Sequence, residues 1–136
     1  MGIRTVAMAL RTWGVVRSRP MFGYASLEVL AHALGRSDVG VVADARRGLW
    51  HTFQISHGMR RLPAEQLSGN LVMPDNFRHW SELPPAVTRV PYLLSDLVPK
   101  IWDVELLRPV EAPDAFLHEE PSYVTWTPQI HRAPAS

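Results

Sequence analysis

Ten of the twelve prolines lie beyond residue 70: Pro74, Pro84, Pro85, Pro91, Pro99, Pro109, Pro113, Pro121, Pro128 and Pro134. Only Pro20 and Pro63 precede them. Proline lacks a backbone N–H and drives the residue before it into extended conformations. A proline about every six residues leaves no room for a long helix or a central strand. Residues 71–136 therefore read as an extended arm with short helices. Asn76 to Leu83 is one such helix, capped by Asp75 and stopped by Pro84-Pro85. The arm is not a polar linker, because it carries Trp80, Tyr92, Trp102, Tyr123 and Trp126 among aliphatic neighbours. Large apolar anchors on an extended chain need a surface to lie on.

Residues 1–70 carry helical signals. Ile3, Val6, Ala7, Leu10 and Trp13 fall on one arc at helical spacing, predicting an amphipathic helix over 3–16. A second helix begins at Ser26, runs to Leu34 and ends on Gly35, a residue suited to a left-handed cap. Ser37 or Asp38 can cap a third segment with Val42, Ala45, Leu49 and Phe53 at helical spacing. The rival is a strand, because Leu49, His51, Phe53 and Ile55 alternate; the spacing of the caps favours the helix. Pro63 opens a short helix to Leu67. The expected fold class is mainly α: a small helical body built on a helical hairpin over 1–70, and a proline-rich, extended C-terminal arm over 71–136.

Composition sets the outer bounds. With 136 residues, 46% apolar and 20% charged, the chain has one domain's worth of core material and is not wholly disordered. No cysteine is present, which excludes a disulfide scaffold and a thiolate site. Charge is divided along the chain. Residues 1–61 carry nine arginines against three acids, a net of +6, and residues 62–136 carry five bases against ten acids, a net of −5. Thirteen of the fourteen basic residues are arginine, the side chain that forks onto carboxylate or phosphate.

Catalytic signatures are lacking. The histidines do not pair as H-x-x-x-H or H-E-x-x-H, no serine sits in G-x-S-x-G, and no glycine-rich phosphate loop occurs. The densest ligand cluster, His118-Glu119-Glu120, runs straight into Pro121 and reads as a solvated acidic turn rather than a metal or acid–base site. We expect no enzyme activity, no metal, no cofactor and no small-molecule substrate. Two arginine pairs, Arg46-Arg47 and Arg60-Arg61, flank Trp50, His51, Phe53 and His57, a pattern suited to anionic contact with RNA or lipid headgroups. Trp80, Trp102, Trp126, Tyr92 and Tyr123 are the expected partner-binding residues, tryptophan being a dominant interface anchor.

The first 27 residues hold four arginines and no acid, the pattern of a mitochondrial transit segment. With no apolar run of about 18 residues to span a bilayer, the expected setting is peripheral to the mitochondrial inner membrane, with a bacterial cytoplasm as the alternative. The function expected from these signs is a non-catalytic accessory subunit of a large complex, most simply a respiratory-chain complex, acting in assembly and stability. The alternatives are a mitoribosomal or other RNA-contacting protein, and a standalone bacterial or phage protein that binds and blocks one partner.

Overall fold

A computed structural model describes residues 3–110. Two compact units are distinguished, one formed by Pro20–Val110 and one to which Met1–Arg19 belongs. In the latter, helix α1 spans Ile3–Val16 and matches the helix expected over 3–16. Its first turn holds no acid and its last turn no base, so its dipole is uncompensated.

The Pro20–Val110 unit runs β1 (Met21–Gly23), α2 (Ser26–Leu34), β2 (Val39–Asp44), β3 (Leu49–Gln54), β4 (Gly58–Pro63), β5 (Asn70–Pro74), β6 (Val87–Val90), α3 (Leu94–Leu97) and β7 (Arg108–Val110). Five strands form a mixed sheet in the order β4-β3-β2-β5-β6. An antiparallel meander of β2, β3 and β4 is extended by β5 and β6, which run parallel to β2. Strands β1 and β7 form a separate antiparallel ribbon, with Met21 opposite Val110.

This is an α/β fold, and it corrects the expectation of a mainly α chain with a helical hairpin and an extended arm. Gly35 does close α2 in the left-handed conformation, with φ 64°. The chain beyond it becomes a strand rather than a second helix. Val39, Val41 and Val42 are β-branched and Gly40 is the poorest helix former after proline, so this segment favours a buried strand. Leu49–Gln54 follows the alternating pattern, with Trp50 and Thr52 buried on one face and Phe53 on the other. The segment 39–57 is thus a hairpin of strands and not a third helix.

Prolines after residue 70 do not prevent a sheet, because they sit where strands end or lie at an edge. Pro74 closes β5, Pro91 follows β6, and Pro109 lies in the two-stranded ribbon. Asn76–Leu83 is irregular chain with a bend at Trp80–Ser81 rather than a helix. Pro63 closes β4, and a short 3₁₀ turn follows at Ala64–Gln66 where a longer helix was expected.

Both faces of the sheet are covered. On one, Val41 and Phe53 pack against Leu27, Leu30 and Ala31 of α2 and against Leu97, Ile101 and Leu106. On the other, Val42, Trp50, Leu71 and Met73 are closed over by Leu67, Phe77, Leu83 and Val87. The proline-rich chain therefore supplies the second lid of the core. Arg89 fastens that lid, its Nη1 donating to the carbonyls of Pro74 at 2.8 Å and Phe77 at 3.0 Å.

Polar ties join the elements. Arg36 forks onto Asp38 through Nε and Nη2, at 3.1 and 2.7 Å, and Asn70 Nδ2 donates to the same carboxylate at 2.8 Å. The starts of β2 and β5 are thereby held in register. Arg108 of β7 pairs with Glu28 of α2 at 2.9 Å, and the glutamate is nearly buried. Arg108→Ala is expected to lower stability by about 1–3 kcal/mol, because it strands a desolvated carboxylate. A urea titration of the variant checks this, and Glu28→Gln in the same background is expected to recover part of the loss.

Candidate functional site: an apolar cleft and an arginine-tipped hairpin

The cleft arises from a run of tight turns after β6. Leu93 is extended and opens the single turn of α3. Pro99, with its φ preset, continues the winding as a 3₁₀ turn at Val98–Lys100. Backbone bonds from Ile101 to Val98, Val104 to Ile101 and Leu106 to Val104 keep the chain coiling. Leu97, Ile101 and Leu106 turn inward to the core. Leu94, Val98, Trp102 and Leu107 stay at the surface and, with Tyr24 and Val29, line an apolar cleft of about 130 Å³. Trp102 is 80% exposed and Leu107 63%. Such a cleft has room for one branched or aromatic side chain, since apolar cavities of about 150 Å³ accept a benzene-sized group. Asp96, Asp103 and Glu105 are exposed in the same stretch, against Lys100.

The second feature is the tip of the β2–β3 hairpin. Arg46, Arg47 and Gly48 are all left-handed, with φ 65°, 55° and 73°. Each of the two arginines costs about 1 kcal/mol or more in that conformation. Asp44 holds the first of them there. Its Oδ1 accepts the Arg46 backbone N–H at 2.6 Å, and its Oδ2 accepts those of Trp80 and Ser81 at 2.7 and 2.8 Å. Burial opposes ionisation of this carboxyl, but the N–H groups of Ser81, Trp80 and Arg46 outweigh it and hold it below the usual carboxylate range. The Arg46 guanidinium lies over the Trp80 indole, 4.2 Å from the ring centre, and Trp80 is 62% exposed. Arg61 approaches the base of the hairpin, with Nη2 at 3.5 Å from the Ala45 carbonyl.

The expected site residues are thus sorted by the fold. Trp80 and Arg46, 34 positions apart, are brought into contact, and Arg47 follows Arg46 in the chain. Arg60 and Arg61 are successive strand residues and so leave β4 on opposite faces; Arg60 Nη2 is occupied by Gln54 Oε1 at 2.9 Å. Trp102 stands open beside the cleft. Tyr92 turns inward, its ring 5.5 Å from that of Phe77; burial pushes its phenol up, with the Ser26 hydroxyl acting against the rise. Trp126, Tyr123, His118 and Glu119 lie outside the described residues. Ser56 Oγ and His57 Nδ1 are 2.7 Å apart on an exposed turn. Among the described residues no cluster of His, Asp and Glu could hold a metal ion, and no helix is long and apolar enough to cross a membrane.

Sequence reasoning missed the cleft as a unit. Its signal was available: Leu94, Val98 and Trp102 recur every four residues, out of phase with Leu97 and Ile101. The role of Asp44 as the acceptor for two loops was also missed, because Trp80 and Ser81 lie 36 and 37 positions away.

No protein-family model matches this chain, and neither a curated protein nor a solved structure is significantly similar to it.

Proposed function

We propose that this protein is a non-catalytic accessory subunit that docks onto another protein of a larger assembly through the cleft beside Trp102. The observation that carries this reading is the 80% exposure of Trp102 on the lip of an apolar cleft. An indole left in water next to unfilled apolar surface has the make-up of an interface anchor, since buried tryptophans in complementary pockets dominate binding energies. Leu107 and Leu94 extend the patch, and the acidic residues around it supply a polar rim. A mitochondrial setting, peripheral to the inner membrane and within a respiratory-chain complex, is the more specific form of the proposal. Its support is the arginine-rich, acid-free sequence of α1 and its flanks.

Native particle size tests the reading. In gently solubilised source extract, the chain is expected to migrate in a particle well above its own 15.3 kDa. Trp102→Ala is expected to weaken that association about 30-fold or more, the effect of losing an anchor worth about 2 kcal/mol. Its solvent-exposed position means that the variant keeps its fold. Migration of the unaltered protein near 15.3 kDa overturns the proposal.

A further inference from the structure

The hairpin tip lies apart from the docking cleft in the chain and has different chemistry. We propose that Trp80, Arg46 and Arg47 form a binding site for single-stranded nucleic acid, with a base stacking on the indole and phosphates held by the two arginines. Four observations combine. First, Arg46 and Trp80 are already stacked at 4.2 Å, so a guanidinium and an aromatic plane are pre-positioned together. A guanidinium in such a stack keeps its edge N–H donors free for phosphate oxygens. Second, Trp80 remains 62% exposed despite that partner, leaving ring surface open to a base. Third, Arg46 is held in left-handed backbone by Asp44, and Arg47 is left-handed in the same turn. Unusual backbone maintained by a dedicated contact is a recurrent property of ligand sites. Fourth, Asp44, the carboxylate closest to the arginines in the chain, is bonded to the N–H groups of Arg46, Trp80 and Ser81. Its charge is thus committed to backbone donors, and among the described residues no ion pair ties Arg47.

The surroundings distinguish between anionic partners. Arg78 and His79 precede Trp80, and Ala45, Gly48 and Ser81 complete the neighbourhood in the chain. None adds a large aliphatic side chain to Trp80, so the tip presents one large apolar residue, short of the apolar face that a membrane-lying segment buries. An acidic peptide would satisfy the arginines but has no use for the open indole. A single strand uses both, because every base has a stacking face and every linkage a phosphate.

The test is fluorescence anisotropy of a labelled twelve-residue oligouridylate titrated with the full chain. Two phosphate contacts on a single strand give a salt slope of about −1.4, so raising salt from about 50 to 200 mM is expected to weaken binding about sevenfold. Arg47→Ala removes one contact and is expected to reduce that salt effect to about threefold. Trp80→Ala is expected to weaken binding at least about fivefold, with Trp80→Phe retaining most of the affinity. Thermal melts of these variants are expected to stay near that of the unaltered protein, because both positions are exposed. Failure to bind at 50 mM salt overturns the proposal, as does binding that is indifferent to both alanine variants. Equal competition by polyglutamate overturns it in favour of a general anion site. Trp80-dependent binding to phosphatidylserine vesicles without oligonucleotide binding overturns it in favour of a membrane surface.

Discussion

Trp50→Ala is expected to remove about 3–5 kcal/mol of stability, at the top of the range for truncating a core side chain. Trp50 is fully buried, the largest side chain so enclosed, and packs with Val42, Leu71 and Met73 beneath Leu67, Phe77 and Leu83. Truncating it leaves a cavity walled by a sheet on one side and by turns on the other. In a unit of this size, the loss lowers the melting temperature by about 12 °C or more. The indole Nε1 is buried without a hydrogen-bond partner among the described residues. Phenylalanine at this position therefore gives up volume but no hydrogen bond, and removes an unsatisfied donor. Trp50→Phe is expected to cost only about 1–2 kcal/mol. Urea denaturation of both variants at pH 7 checks the contrast; equal losses would mean that the aromatic ring kept by phenylalanine contributes nothing, and would overturn this account of the site.

Asp44→Ala is expected to cost about 2–3 kcal/mol, because one carboxylate accepts three backbone N–H groups from two separate loops. It is also expected to abolish the Arg46–Trp80 stack, since both the hairpin tip and the chain at Trp80 lose their shared acceptor. The pH dependence follows from the lowered pKa. A carboxyl whose folded value lies below its unfolded one stabilises the fold fully above about pH 4, the unfolded value, and loses that contribution as pH falls through the folded value. The gap between variant and unaltered protein is thus widest at neutral pH and narrows in acid. Asp38 is also held down, first by its hydrogen bonds from Arg36 and Asn70, and so changes in the same direction. It is common to both proteins, so their difference isolates Asp44. Denaturation curves at pH 7 and pH 3 provide the measurement, and a gap that widens in acid would reverse the assignment.

Local signals were legible where local physics decides the outcome. The arc of Ile3, Val6, Leu10 and Trp13 and the glycine at 35 marked α1 and the end of α2, because helix periodicity and a left-handed cap depend only on neighbours. The strand at 39–44 was obscured because its central position buries both faces: Val39, Val41 and Val42 show no alternation. Without alternation, the spacing of Val42, Ala45, Leu49 and Phe53 matched a helix that Gly40 and the Arg46-Arg47-Gly48 turn forbid. Proline density misled for another reason. It reports where the backbone cannot donate, and Pro74, Pro91 and Pro109 occupy positions where no donor is needed. The Arg46–Trp80 contact was illegible because pairing β2 with β5 alone carries the chain past Pro74 and around to Trp80. The two residues were nevertheless both singled out by type, as an anion contact and as an aromatic anchor.

The β1–β7 ribbon has a mechanical consequence. Met21 faces Val110 across an antiparallel ladder of three residue pairs, so the chain enters and leaves this unit at the same end of one ribbon. A tension applied to the two flanking segments loads that ladder from its open end. The rungs then peel in turn, Met21 from Val110, Phe22 from Pro109 and Gly23 from Arg108, rather than resisting together in shear. The last rung adjoins the Arg108–Glu28 ion pair, which anchors β7 to α2. Pulling the two ends of this unit apart is therefore expected to open the ribbon before it loads the five-stranded sheet.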